Sequence, residues 1–176
     1  MKKYIILLIL TNLSFSYSQI DPLDVEIVRD SFGVPHIYGK TDADVAYGLA
    51  WSHAEDDFKT IQQGYLAGNG LLSKHIGIKG AGADFLSQLI ESKETVDKLF
   101  STLDSDFIKI IEAYSQGLNK YAETHPNEIL EKKLFPITPK KMTAYSFLQL
   151  FIANEADKLV LSIINNKVPR ENPFKD

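Results

Sequence analysis

The sequence has no cysteine among its 176 residues. Disulfide bonds, thiolate metal ligands, a cysteine nucleophile and a cysteine-linked lipid anchor are therefore excluded within this chain. The sequence also has no H-E-x-x-H metal motif, no G-x-x-x-x-G-K-[ST] phosphate loop and no G-x-S-x-G nucleophile motif. Positive charge is scarce, since 19 basic residues against 23 acidic ones leave a net charge of −4. This balance argues against a nucleic-acid partner.

The first residues have the features of a targeting segment. Two lysines precede an apolar run at 4–13, about ten residues long, which is too short to span a bilayer comfortably. Ser16 and Ser18 follow at the spacing of the −3 and −1 positions of a cleavage site. We expect residues 1–18 to be a signal peptide and 19–176 to be the mature protein, exported to the periplasm or secreted. The alternative is a short N-terminal anchor, but the length of the run predicts no stable membrane anchor.

Hydrophobic periodicity predicts a short hairpin followed by helices. Residues 25–29 and 34–39 have the pattern of two strands, and Pro35 makes the second an edge strand. The glycine-rich residues 68–84 are expected to form a loop. Helices are predicted at 40–68, 86–103, 104–126 and 141–167, with a double-proline linker before the last. The predicted fold class is therefore mainly α with a short N-terminal β-hairpin, in one domain.

The longest predicted helix has a clear start and one narrow face. Thr41 or Asp42 can serve as its N-cap. Ala46, Ala50 and Ala54 follow one another four residues apart and therefore share a face of the helix. Because these side chains are small, they predict that another element packs closely against this face.

The densest polar cluster lies on the same helix and contains His53, Glu55, Asp56 and Asp57. His53 and Asp57 are four residues apart, so they could share a metal ion or form a hydrogen-bonded pair. We favour the pair because two ligands do not make a metal site. His36 could be a general base, or it could hold the hairpin turn through a backbone hydrogen bond. We favour the turn because no serine or cysteine motif accompanies it.

The predicted helix at 141–167 is unusually apolar, so we expect it to be buried or to face a partner. Phe147 and Phe151 lie one turn apart on it and could line a pocket for an acyl chain. Aromatic residues at helical spacing are more often plain core, and from the residues alone we favour that interpretation.

The stretch VEIVRDSFGVPHIYGKTDADVAYGLAWSHAEDDF, residues 25–58, resembles the start of the penicillin acylase family of N-terminal nucleophile hydrolases. The run HAEDDFKTIQ looks closest to the branch that includes acyl-homoserine lactone acylases. Two later segments, AYSQGLNKY and FPITPKKMTAYSF, also look like parts of the family's α-chain. The residues that match the family pattern are Arg29, Asp30, Phe32, Gly33, Val34, Pro35, His36, Ile37, Tyr47, Gly48, Trp51, Ala54, Glu55 and Asp56.

The resemblance implies a fold, an activity and a partner. Family members are exported precursors that cut themselves into an α-chain and a β-chain, and the β-chain carries an N-terminal serine or cysteine nucleophile. The resemblance assigns residues 19–176 to the α part of the αββα fold, with the β-chain as partner and a small-molecule amide as substrate. It therefore places no catalytic residue in this chain, and we expect this chain alone to be inactive. On this interpretation the sequence is a fragment, a truncated gene or half of a split gene.

The resemblance also suggests residues for substrate binding and bears on metal binding. Asn154 and Glu155 fall where the last helix reaches the acyl pocket in relatives, and we name them as substrate-binding candidates together with Phe147 and Phe151. Some relatives bind calcium through an α-chain glutamate, but a gapless extension places Ser162 at that position here. We therefore predict no metal and no cofactor.

Two functions remain open at this point. The first is an amidohydrolase that cleaves an acyl-homoserine lactone or a penicillin-type amide. The second is a non-catalytic, exported helical binding protein, or a degenerate remnant of an acylase. A following reading frame that begins with Gly-Ser or Gly-Cys would favour the first.

Overall fold

A computed structural model describes residues 19–165 and Lys167. The predicted signal peptide lies outside the described residues. Two strands, β1 (Glu26–Arg29) and β2 (Pro35–Tyr38), precede α1 (Asp42–Gly68), α2 (Ser73–Ile76), α3 (Ile78–Leu89), α4 (Ser92–Leu99), α5 (Ser105–Thr124), α6 (Pro139–Ala153) and α7 (Ala156–Ile164). Short 3₁₀ turns lie at Pro22–Asp24, Phe100–Thr102, Pro126–Glu128 and Lys132–Leu134. The predicted fold class is confirmed.

The two strands form an antiparallel hairpin on the first half of α1. Glu26 pairs with Tyr38 and Arg29 pairs with Pro35 at the two ends of the ladder. Ile27 and Ile37 are directly opposite each other and are half-buried, whereas the alternate side chains are exposed. The hairpin therefore has one face toward α1 and one face that no described residue covers.

Helix α1 begins at the predicted cap and is interrupted in its middle. Thr41 is the N-cap, and it forms a reciprocal capping box with Asp44. Asp57 has non-helical backbone angles, φ −158° and ψ 71°. Its carboxylate accepts a hydrogen bond from the backbone N–H of Thr60 at 3.0 Å, as an N-cap does. The predicted extent of this helix is confirmed, but α1 is kinked where Asp57 caps its second half.

Helices α1 and α5 form the centre of the fold through small residues. Ala50 and Ala54 on α1 are fully buried. On α5, a methyl group at Gly117 would lie only 2.4 Å from the carbonyl oxygen of Tyr47 and 2.9 Å from the Ala50 side chain. The close approach that the alanine stripe predicts is therefore confirmed. The core around it contains Phe58, Tyr65, Leu66, Leu118, Tyr121, Leu134 and Ile137.

The glycine-rich segment is helical, so the loop prediction for 68–84 is wrong. It contains the end of α1, the short α2 and the first turns of α3. Gly80 is buried. A methyl group at this position would lie 2.7 Å from the backbone nitrogen of Ser73, so no larger side chain fits there. The buried Asp84 carboxylate accepts hydrogen bonds from the backbone N–H groups of Leu72 and Ser73 at 2.8 and 2.7 Å. Glycine permits close packing here rather than flexibility.

Two other predicted helices are each broken in two. The segment predicted as one helix at 86–103 is divided at Glu91, which has φ +49°, and the segment at 141–167 is divided at Glu155, which has φ +64°. Neither residue is glycine, so these breaks have no glycine signal in the sequence. No helix in the described part of the chain is both long and apolar enough to cross a membrane.

Two side-chain amides, Gln62 buried and Asn119 half-buried, fix the connection between α5 and α6. The Gln62 side chain donates to the carbonyl of Glu128 at 3.0 Å and accepts from the N–H of Leu130 at 2.8 Å. Asn119 donates to the carbonyl of Ile137 at 2.8 Å and accepts from its N–H at 2.7 Å. The double-proline linker is therefore held against the α1–α5 pair, and this sets where α6 begins.

The close approach of α1 and α5 can be tested with two glycine substitutions. Gly117→Ala forces a methyl group against the α1 backbone, so we expect the free energy of unfolding to fall by about 1–3 kcal/mol. Gly82→Ala in α3 is the matched control, because a methyl group there meets nothing within 4 Å. We expect the control to raise that free energy by up to about 1 kcal/mol through helix propensity. Chemical denaturation measures both, and equal stabilities of the two variants would contradict this packing.

Candidate functional site

One guanidinium group attaches the hairpin to α1. Arg29 Nη2 lies 3.0 Å from Glu55 Oε2 and 2.9 Å from Asp56 Oδ1, and Nη1 donates to the carbonyl oxygen of Gly33 at 2.8 Å. The hydrogen bond to Glu55 is the largest cause of the raised pKa of Arg29. Glu55 also accepts from the Trp51 ring N–H at 2.8 Å. These residues of the family motif therefore form a structural contact between strand, turn and helix.

Asp30 organises the hairpin turn. Its carboxylate accepts from the backbone N–H groups of Phe32 at 2.9 Å and Val34 at 3.0 Å. These two bonds, with Val34 the stronger influence, lower the pKa of Asp30. His36 Nε2 lies 3.3 Å from the second Asp30 oxygen. His36 thus contacts the turn, as predicted, but through a carboxylate rather than through the backbone.

His53 and Asp57 have different partners in the structure. His53 Nδ1 lies 2.8 Å from the hydroxyl of Tyr114 on α5. Burial raises the pKa of that hydroxyl to about 12. Asp57 caps the second half of α1, and its hydrogen bonds with Thr60 lower its pKa. Among the described residues, no three or more His, Cys, Asp or Glu side chains lie close enough together to hold a metal ion.

The four predicted substrate-binding residues lie together where α6 meets α7. The Phe147 and Phe151 rings contact each other edge to face, with centroids 5.2 Å apart. Asn154 is the C-cap of α6, and its side-chain amide donates to the Leu150 carbonyl at 2.7 Å. Glu155 follows in the left-handed conformation and pairs with Lys158 on the first turn of α7. The two rings therefore contact each other, while the two polar side chains bond to the end of α6 and to the first turn of α7.

Apolar side chains around this junction are exposed. Phe151 is 36% exposed, so it is not plain core, while Phe147 is half-buried. Of the two expectations for this segment, burial or a face toward a partner, exposure favours the second. The exposed apolar residues on either side of the break are Leu150 and Phe151 on α6 and Leu159, Leu161 and Ile163 on α7, and together we call them the α6–α7 apolar surface.

A second exposed apolar face lies on the hairpin. Its members point away from α1 or lie at the turn, and Phe32 is 91% exposed. We call it the hairpin apolar surface, and it consists of Val28, Phe32, Val34 and Tyr38. Single exposed apolar residues are normal on any protein. Each of these two surfaces instead contains four or five of them.

The sequence profile described as penicillin amidase matches residues 24–171. This chain belongs to the penicillin amidase family. The match spans the hairpin and every helix of the structure, so the family assignment rests on nearly all the described residues.

Curated members of the penicillin amidase family are similar to parts of this chain. Penicillin G acylase of Escherichia coli is 22% identical over 140 residues, which cover 77% of this chain and 16% of that protein. Penicillin acylase 2 proenzyme of Pseudomonas sp. (strain SE83) is 26% identical over 97 residues, 55% of this chain and 12% of that protein. Acyl-homoserine lactone acylase PvdQ of Pseudomonas fluorescens (strain Pf0-1) is 22% identical over 104 residues, 54% of this chain and 13% of that protein. The chain therefore spans less than a fifth of the length of these relatives.

A solved structure of the penicillin amidase family has the same fold. It is a thermostable penicillin G acylase from Alcaligenes faecalis, with a TM-score of 0.64 and 19% sequence identity. The match covers 80% of this chain and 79% of that chain, so the two chains are similar in length. The αββα fold expected from the resemblance, with this chain as a helical part of it, is supported by this likeness.

Some contacts of the site had no signal that sequence reasoning could use. The two ion pairs of Arg29 join residues that are 26 and 27 positions apart, and no local sequence pattern predicts such pairs. The hydroxyl partner of His53 comes from another helix. Leu150, Leu159 and Leu161 did carry a signal, since they extend the apolar run around Phe151, but their exposure depends on the break at Glu155.

The contacts of Arg29 are expected to protect the hairpin against local unfolding. Arg29→Met removes the bonds to Glu55, Asp56 and Gly33, so we expect backbone amides of β1 and β2 to exchange faster with solvent. Amides of α5 should exchange at an unchanged rate. Lys120→Met is the control, because it removes one exposed ion pair, to Glu123, on another helix. Hydrogen exchange followed by mass spectrometry measures these rates, and an unchanged hairpin in Arg29→Met would refute the proposed role of Arg29.

Proposed function

We propose that this chain is the α part of an exported acylase that hydrolyses a linear amide between an acyl group and an amine. The observation that carries the proposal is the penicillin amidase match over residues 24–171. Acyl-homoserine lactones and penicillin-type amides are the two substrate classes, since curated relatives of both names are similar to this chain. Residues 1–18 would serve as the signal peptide that exports the protein.

In this proposal the nucleophile belongs to a β part, as an N-terminal serine or cysteine. An α-amine has a pKa near 8, so at neutral pH it can accept the proton of its own side chain more readily than a lysine can. Two groups of the family motif region have structural partners instead: Tyr114 for His53, and the backbone of Phe32 and Val34 for Asp30. This chain would bind and orient the acyl group and would perform no bond-breaking step.

The exposed apolar surfaces support a β-part partner. Leu150 is 62% exposed, Leu159 55% and Phe32 91%, which is unfavourable for a protein that acts alone in water. A β part that covers the α6–α7 apolar surface and the hairpin apolar surface would bury these side chains. Its binding would also stabilise the folded chain.

The α6–α7 junction is the proposed contribution to the substrate pocket. Phe147 and Phe151 offer two apolar rings for an acyl chain, and their edge-to-face contact fixes both rings. Asn154 and Glu155 lie at the end of this aromatic pair and could bind polar atoms of the substrate near the scissile amide. Glu155 has a left-handed backbone conformation that few residues adopt, and this conformation both ends α6 and sets where the Glu155 side chain points.

The activity can be tested with the product of the complete gene. We expect two chains to copurify, one of them this chain without residues 1–18 and the other a larger chain that begins with serine or cysteine. The pair should release the acyl group from an acyl-homoserine lactone or a penicillin-type amide, and residues 19–176 alone should show no turnover. Mass spectrometry of both chains and product chromatography measure these outcomes. Amide hydrolysis by residues 19–176 alone, or a complete gene product without a second chain, would contradict the proposal and favour a non-catalytic binding protein or remnant.

The acyl pocket can be tested by its chain-length dependence. Phe151→Ala removes apolar contact from the acyl chain, so we expect kcat/KM for a long acyl chain to fall about tenfold, which corresponds to about 1.4 kcal/mol. For an acetyl substrate the loss should be much smaller, because that group is too short to reach the ring. Phe107→Ala is the matched control, since Phe107 is an exposed phenylalanine on α5. Equal losses for long and short acyl chains, or an equal loss in Phe107→Ala, would place the pocket elsewhere.

A further inference from the structure

A separate cleft carries positive charge on an acidic protein. It lies between α4 and residues 133–141, at the start of α6, and has a volume of about 350 Å³. We call it the lysine cleft, because Lys93, Lys133, Lys140 and Lys141 line it together with a single carboxylate, Asp97. Its formal charge is therefore +3, whereas the whole chain has a net charge of −4. Such a local excess attracts anions.

Two of the four lysines are already engaged. Lys140 Nζ pairs with Asp97 at 2.9 Å. Lys141 is partly buried, and its Nζ donates to the carbonyl oxygens of Leu134 at 2.6 Å and Pro136 at 3.0 Å. These contacts neutralise the only lining carboxylate and fix one ammonium group in the wall of the cleft.

The other two lysines keep their charge available. Lys93 and Lys133 are exposed, and neither forms an ion pair with a described carboxylate. They line the cleft from different segments of the chain, Lys93 from α4 and Lys133 from the 3₁₀ turn that ends at Leu134. Thr138, the N-cap of α6, also lines the cleft, so the positive end of that helix dipole adds to their field.

The floor of the lysine cleft is apolar. Leu71, Val96 and Leu134 form it, and Val96 and Leu134 are buried against the core. A small inorganic anion would gain little from this floor. An anion with an apolar body would gain both charge pairing at the rim and contact with the floor.

We infer that the lysine cleft binds a small amphiphilic anion, namely a carboxylate or phosphate group attached to a short apolar chain. The anionic group lies between Lys93 and Lys133, and the apolar chain lies against Leu71, the one residue of the apolar floor that is not buried. This inference is independent of the proposed function, because none of these residues belongs to the α6–α7 junction.

A neighbouring cleft provides an internal comparison. It has a volume of about 600 Å³ and shares Lys93 with the lysine cleft. Its lining contains Lys93 and Lys98 together with Glu91 and Glu94, so the formal charge of the lining is zero, although Lys93 forms no ion pair with a described carboxylate there. An anion should therefore bind in the lysine cleft and should not bind in its larger neighbour.

Calorimetric titration of the purified full chain, together with any chain that copurifies, tests the inference. The probes are sodium octanoate and octyl phosphate, with acetate and octan-1-ol as controls that each lack one half of the ligand. The test variant is Lys93→Gln with Lys133→Gln. The matched control is Lys74→Gln with Lys79→Gln, which removes the same charge from exposed lysines on α2 and α3.

We expect saturable binding of octanoate, octyl phosphate or both, weakened about tenfold by the test variant and unchanged in the control variant. Acetate and octan-1-ol should bind much more weakly, and added salt should weaken octanoate binding. Preference between octanoate and octyl phosphate identifies the anionic group. Equal affinity in both double variants, or equal binding of octan-1-ol, would overturn the inference. Binding that is lost in Phe151→Ala but kept in the test variant would also overturn it, since the ligand would then lie at the α6–α7 junction.

Discussion

The close contact between α1 and α5 is the constraint on which the rest of the structure depends. The two backbones approach closely because the contact is made by Ala50 and Ala54 on α1 and by Gly117 on α5. There is no room for even a methyl group at position 117. Side chains on the same two helices then hold the surrounding elements. Glu55 on α1 holds the hairpin through Arg29, while Gln62 on α1 and Asn119 on α5 fix the connection that leads to α6. The positions of both apolar surfaces therefore follow from this helix pair.

The arrangement separates a well-packed centre from two uncovered faces. The hydrogen bonds of the penicillin amidase motif join the hairpin turn, its strands and α1 to one another, so the motif builds a scaffold. The hairpin apolar surface and the α6–α7 apolar surface point outward, and the four proposed substrate-binding residues lie at the second of these. The proposed β part would need this distribution: rigid contacts inside this chain, and apolar contacts left for the partner.

Much of the fold could be predicted because its signals are local. The capping residue Thr41 and the alanine stripe are read directly from neighbouring positions, and the structure confirms them. The loop prediction around Gly80 is wrong because glycine permits both flexibility and close packing. Only the tertiary contact with Ser73 decides between them. The breaks at Glu91 and Glu155 could not be predicted because a left-handed glutamate is stabilised by its surroundings and not by its own preference. Helical spacing places Phe147 and Phe151 one turn apart, and the family resemblance suggests Asn154 and Glu155, but the exposure of Phe151 required the structure.

The central claim is that a second chain covers the α6–α7 apolar surface. Because this chain has no cysteine, a single Leu150→Cys substitution gives one thiol on that surface, and Lys79→Cys gives a control thiol on α3. Maleimide labelling, located by peptide mass spectrometry, measures their access. The account predicts that the thiol at position 150 reacts in residues 19–176 alone and is protected in the complete gene product, while the thiol at position 79 reacts in both. Equal labelling at position 150 in both preparations would contradict it.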